Sequence, residues 1–274
     1  MRGTQGGGPM DPFKAFKDAQ REGWSHFAPL EMFTTPSAAR LVAHARIQPG
    51  QRVLDVACGT GVVAVTAARH GAFVTGLDLT PALLERARHN AAVAEVDVAW
   101  HEGDVEALPF PDASFDVVVS QYGHIFAPRP DVAIGEMLRV LAPGGTMAFA
   151  TWPPELFVGR SFALVGRHMP PPPQPVPPPG LWGDPAVVRD RLGAAVDHLS
   201  FDRARMLVPA LSPAHYRLMF ERTAGPVIRL VEMLERTDPA ALAAFRSEYE
   251  ALVAEYFNDN QVRQDYLLAR AVKV

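Results

Sequence analysis

The chain has 274 residues, 48% apolar and 20% charged, an ordinary balance for a soluble globular protein with room for one large α/β domain and a smaller cap. A formal net charge of -4, with basic residues scattered in no run, leaves no electrostatic footprint for nucleic acid or an acidic membrane surface. One cysteine, Cys58, excludes an intramolecular disulfide and a cysteine-based metal site, and no apolar stretch reaches membrane-spanning length.

Residues 1–10, MRGTQGGGPM, lack the apolar core of a signal peptide. They read as a flexible leader, with Met10 a candidate start and the cytoplasm the default location. Asp11-Pro12 is an N-cap followed by proline at the first helical position, which predicts a helix over 13–22 ended by Gly23. An aromatic stretch follows, and Thr35-Pro36 caps a second helix over 37–46. Residues 11–50 are therefore expected to be N-terminal helices lying as a lid on residues 51–274.

From Arg52 the pattern alternates. Strands are predicted at 52–57, 72–78, 96–100, 115–121 and 146–152, the last entered by a turn at Pro143-Gly144-Gly145. Helices at 62–70, 82–93 and about 131–141 separate them. Short Val- and Ala-rich strands alternating with helices predict parallel βαβ units and an open doubly wound sheet. After Trp152 the regularity breaks. Residues 169–180, MPPPPQPVPPPG, are too proline-rich for helix or sheet and read as an extended loop. A helix after Asp184-Pro185 and a strand over 201–208 come next. Helical stretches at about 210–260, broken at Gly225-Pro226 and Asp238-Pro239, form an insertion before a final strand, DYLLARAVKV.

The chemistry gathers at strand ends. Asp55 sits near the carboxyl end of the first strand, and Gly59-Thr60-Gly61 turns into the first helix of the alternating region, where open α/β sheets bind ligands. Glycines let the backbone approach a ligand. The Asp55 carboxylate suits the amino group of a zwitterionic amino acid, whose own carboxylate is favoured by the helix N-terminus. Gly59, Gly61 and Ala64, with Asp78 about 20 residues on, also satisfy the dinucleotide fingerprint. Asp78 can accept two hydrogen bonds from a ribose diol in either case. This much is a nucleoside signal that leaves NAD open. GDVEALPF, residues 103–110, adds Asp104 as an acceptor for an adenine amino group and Val105 as a surface for the ring.

VLDVACGTG, Asp78, GDVEALPFPDASFD and EMLRVLAPGG together resemble the class I S-adenosylmethionine (SAM)-dependent methyltransferases of the type 11 or ubiquinone/menaquinone-biosynthesis-like group. The resemblance covers about Arg52 to Trp152. It implies a Rossmann-like α/β fold with a seven-stranded, doubly wound sheet whose last strand is antiparallel. It also implies SAM as methyl donor, S-adenosyl-L-homocysteine (SAH) as product and a small-molecule acceptor. Carried over residue by residue, Asp55, Ala57 and Gly59, with Gly61 closing the turn, line the methionine end. Asp78 and Leu79 meet the ribose, Asp104 and Val105 hold adenine, and Gln121 lies beneath the sulfonium.

Other residues carry less. His124, just after the fourth strand, is the candidate catalytic base, and its neighbour Tyr122 is a second catalytic candidate. Cys58 reads as a small residue in a crowded loop and Asp116 as a strand-start fastener. Phe13, Phe16, Trp24 and Phe27 form either an aromatic lid or a core patch. Tyr216, Met219, Phe220 and Met233 read as core, with an acceptor pocket as the alternative. Two other functions share the glycine loop: a SAM-binding sensor without methyl transfer, and a NAD-dependent oxidoreductase, against which GDVEALPF and RVLAPGG argue.

Overall fold

The computed structural model describes residues 11–172 and 174–274; the leader expected over residues 1–10 lies outside them. Five parallel strands build the first part of the sheet: β1 (Arg52–Val56), β2 (Phe73–Asp78), β3 (Val98–Glu102), β4 (Phe115–Gln121) and β5 (Leu141–Thr151). Two long antiparallel strands complete it, β6 (Val196–Pro209) and β8 (Gln261–Lys273), with the two-residue β7 (Phe257–Asn258) folded onto β8. The order is β3-β2-β1-β4-β5-β8-β6. The chain reverses its direction of travel between β1 and β4, the crevice in which doubly wound sheets place ligands.

Helices cover both faces. α3 (Val62–Arg69), α4 (Pro81–Val93) and α5 (Pro130–Val140) are the crossovers between parallel strands. β1 and β4 are buried along nearly their whole length, with apolar centres as central strands require, and Val53, Leu54, Val56, Val118 and Val119 are fully buried. α6 (Phe157–His168) leads into the extended proline segment, and α7 (Pro185–Leu192) is capped by Asp184, whose carboxylate accepts the Ala186 N–H at 2.8 Å. The expected insertion is three helices between β6 and β7: α8 (Pro213–Thr223), α9 (Gly225–Thr237) and α10 (Pro239–Ala254).

Three local expectations change. Helix α1 (Lys14–Trp24) does not stop at Gly23; that glycine is buried against Gly225 at the start of α9, so it serves a backbone contact and not a helix end. Helix α2 (Glu31–Ala45) starts before Thr35-Pro36 and carries Pro36 inside it, while the Thr34 and Thr35 hydroxyls donate to the Glu31 carbonyl. Pro143-Gly144-Gly145 belongs to β5, where the register with β4 jumps from Phe115–Leu141 to Val117–Thr146. The extra residues form a bulge in place of a free turn.

Candidate functional site

The chain leaving β1, β2, β3 and β4 lines one cavity of about 520 Å³. Its polar end begins at Asp55, which is buried; Oδ2 accepts the Ala64 N–H at 3.0 Å and Oδ1 has no hydrogen-bond partner. Asp78 is tied by both oxygens: Oδ2 accepts the Gly59 N–H and Oδ1 the Thr80 N–H, each at 2.8 Å. Burial pushes the Asp55 carboxyl well up, the Ala64 N–H opposing it and the nearby Asp78 charge adding to it. Burial likewise raises Asp78 against its backbone donors. Two carboxylates thus share a low-dielectric end with no lysine or arginine bound to either among the described residues.

The loop between them is left-handed at three positions: Ala57 (φ 51°), Gly59 (φ 54°) and Gly61 (φ 77°). A Cβ at Gly61 would stand 2.6 Å from the Trp100 ring, so glycine is required there by both conformation and space. Ala57 bears the same backbone with a side chain, at a cost of about 1–2 kcal/mol. At Gly59 a Cβ would meet nothing within 4 Å, and its place faces open cavity.

Leu79, Asp104, Val105 and Gln121 also line the cavity. Gln121 donates through Nε2 to the Thr34 carbonyl at 3.0 Å, while its buried Oε1 has no partner. Asp104 is less free than expected. Its Oδ1 accepts the Glu106 N–H at 2.9 Å, and its Oδ2 lies 2.6 Å from the ammonium of Lys17. Lys17, on α1, also reaches Asp11 at 2.7 Å and Glu106 at 2.6 Å. Burial opposes its charge, but the three carboxylates prevail and its pKa is raised. The Glu106 side chain is wholly buried and pairs with Arg129 as well. Nothing in the sequence patterns marked Lys17, because its partners come together only when α1 docks.

A methyltransferase-domain family profile matches residues 53–145 of this chain. An uncharacterized protein of Mycobacterium tuberculosis is 38% identical over 245 residues, 89% of each chain. The demethylmenaquinone methyltransferase of Thermus thermophilus is 41% identical over 119 residues, 43% of this chain and 53% of its own. The chain belongs to the class I SAM-dependent methyltransferases. The crystal structure of a putative methyltransferase from Bacillus halodurans has the same fold, with a TM-score of 0.56 at 22% identity over 86% of this chain and 98% of that one.

The residues of this methyltransferase fit the donor its family uses. SAM is a zwitterion whose amino acid end carries an ammonium, and the sulfonium adds a second positive charge. The unpartnered Asp55 Oδ1, the two uncompensated carboxylates and the open space at Gly59 suit such a group.

Other candidates fall differently. His124 does not line the cavity: it opens the short helical turn His124–Phe126 and is fully buried, its ring 4.5 Å from that of Trp182 and 5.0 Å from that of Phe149. Both ring nitrogens lack partners, and burial brings its pKa down to about 3. The expected catalytic base is therefore a neutral core residue in this arrangement. Tyr122 does line the cavity, at φ 62°, with its ring stacked on Trp152 at 4.1 Å. Burial pushes its hydroxyl well up, so it offers a neutral phenol. Cys58 lines the cavity too, but burial and then Asp55 and Asp78 push its thiol up, which removes thiolate chemistry. Asp116 is a fastener, accepting the Arg52 N–H at 2.8 Å and pairing with its guanidinium.

The rest of the lining is rich in aromatic rings. Phe16, Trp24 and Phe27 belong to it, whereas Phe13 does not; so do Tyr216 and Phe220, whereas Met219 and Met233 pack elsewhere in the core. The proline segment forms another part of the wall. Among the described residues no histidine reaches the lining.

Proposed function

We propose that this methyltransferase transfers the methyl group of SAM to a small-molecule acceptor held in the far part of the same cavity. Continuity carries the reading: the loops after four parallel strands and the aromatic faces of α1, α6 and α8 line one cavity. When bound, SAM supplies an electrophilic methyl on a positively charged sulfur. Asp55, Ala57 and Gly59 hold its methionine end, with Gly61 setting the turn that aims the start of α3. Asp78 and Leu79 would take the ribose, Asp104 and Val105 the adenine, and Gln121 would lie beneath the sulfonium.

The chain's remaining contribution is alignment and the exclusion of water, both of which a largely apolar lining serves. With His124 in the core and the Tyr122 phenol held neutral, no imidazole is placed to deprotonate the acceptor beforehand. The acceptor's nucleophile must react without that help. Calorimetry with SAM, SAH and NAD tests the donor: SAM and SAH are expected to bind and NAD to give no heat, while NAD binding without SAM binding would overturn the reading. Transfer is tested by incubating methyl-labelled SAM with a metabolite extract. Label should appear in a small molecule; tight SAM binding with no labelled product would make the protein a sensor.

A further inference from the structure

The far part of the cavity offers a ligand few unused hydrogen bonds and no buried charge. Five prolines of one segment belong to its wall, Pro177 and Pro179 half-buried and Pro170, Pro172 and Pro178 more exposed, and none has a main-chain N–H to donate. Some of the buried polar groups there are already engaged. Gln264 Nε2 donates to the Tyr216 hydroxyl at 2.6 Å, and the Ser161 hydroxyl donates to the Phe157 carbonyl at 2.8 Å. Burial pushes the Tyr216 and Tyr249 phenols up, so both stay neutral. Lys17 is matched by its three carboxylates, and Arg229 on α9 is only half-buried. A charged acceptor would lose its water here and gain no buried counter-ion.

We propose that the methyl acceptor is an uncharged, predominantly apolar molecule, seated between the proline wall and the aromatic faces of α6 and α8. This rests on reading the carboxylate end as the SAM site. The acceptor's contact is then dispersion and burial against ring methylenes and aromatic faces, and it is selected by rejecting charge more than by reading polar groups.

Nile red, an uncharged polycyclic dye, titrated into the SAH-saturated protein is the test. It should bind at one saturable site and be displaced by 1-naphthol at a concentration about tenfold below that needed for 1-naphthoate or 1-naphthylmethylammonium. Phe162→Glu, on the half-buried wall of α6, should weaken Nile red about tenfold or more while calorimetric SAH affinity stays within about twofold. Val158→Glu makes the same test should the first variant not fold. Absence of saturable Nile red binding to SAH-loaded protein overturns the apolar site. Displacement led by 1-naphthoate and lost in Arg229→Gln overturns the uncharged acceptor in favour of an anion. Failure of SAH itself to bind would overturn the donor site, and this inference with it.

Discussion

The two ends of the cavity are made in opposite ways. The end we propose for the donor is polar and local: its side chains stand at the carboxyl ends of strands that follow one another within residues 53–121, and the family profile at 53–145 spans the same stretch. The far end is apolar and gathered from α1, α6, the proline segment, β6, α8, α9 and β8. A charge or a φ > 0 turn has few substitutes, so the donor end shows a fixed vocabulary. An apolar wall can be built from many residue types of suitable volume, so the far end shows none. The lesson is that family membership speaks for one end of this cavity and is silent on the other.

Lys17 is where the two ends meet, because α1 also carries Phe16 and Trp24 of the far wall. Lys17→Met leaves the buried Glu106 with Arg129 alone and Asp104 without its ammonium. It should lower the unfolding free energy by about 3 kcal/mol in urea melts. A loss below about 1 kcal/mol would mean that α1 docks through its aromatic residues instead. Asp78→Ala separates the ends directly. It should weaken SAH binding by about 1–3 kcal/mol by calorimetry and leave Nile red binding unchanged. Unchanged SAH affinity in a folded variant would remove Asp78 from the donor site.

His124 tests whether the core beneath the site is as dry as the packing implies. Its folded pKa of about 3 lies below the unfolded value of about 6.5, so the folded state resists its protonation. That stability is fully present above pH ~6.5 and is lost at about 1.4 kcal/mol per pH unit as pH falls toward 3. His124→Leu should flatten this acid limb in thermal melts and leave SAH affinity alone; altered SAH binding would return the imidazole to the site. Asp55→Asn has the smallest expected effect on the fold, and its sign is the informative part. Burial raises the folded pKa of Asp55, so stability is gained as pH falls through that value and the ionised carboxylate is a cost at neutral pH. The amide keeps an acceptor for Ala64 and should raise Tm by about 2–4 °C for each kcal/mol relieved, while SAH binds more weakly. A lower Tm would show that Asp55 is already compensated.

That Asp55, Ala57, Gly59, Asp78, Leu79, Asp104, Val105 and Gln121 share one cavity was legible because each is local to a strand end, and a pattern of two or three neighbours suffices to place it. The alternating strands and helices from Arg52 onward were legible for the same reason, as were the insertion helices and the final antiparallel strand. Misreadings arose where a tertiary contact overruled a local signal. Gly23 reads as a stop until Gly225 arrives against it. Pro143-Gly144-Gly145 reads as a turn until β4 pairs on both sides of it. His124 follows β4 closely enough to suggest the cavity, yet the helical turn carries its ring toward Phe149 and Trp182. Lys17 and the Tyr216–Gln264 pair join residues far apart in the chain, 48 positions in the latter case, which no spacing rule spans.

The contact between Gly23 and Gly225 fixes how closely α1, which carries Phe16 and Trp24 of the cavity wall, approaches α9. A Cβ added at Gly225 would lie 2.6 Å from the Gly23 carbonyl carbon, and one at Gly23 would lie 3.1 Å from the Gly225 Cα. No side chain stands between these two backbones to take up the difference. Helix α1 therefore lies on α9 backbone to backbone, and a series of alanine and larger residues at position 225 would act as wedges of graded thickness. The gap they open would be read in solvent access to Trp24, which turns one glycine into a calibrated gauge of how closely α1 must pack to complete this wall of the cavity.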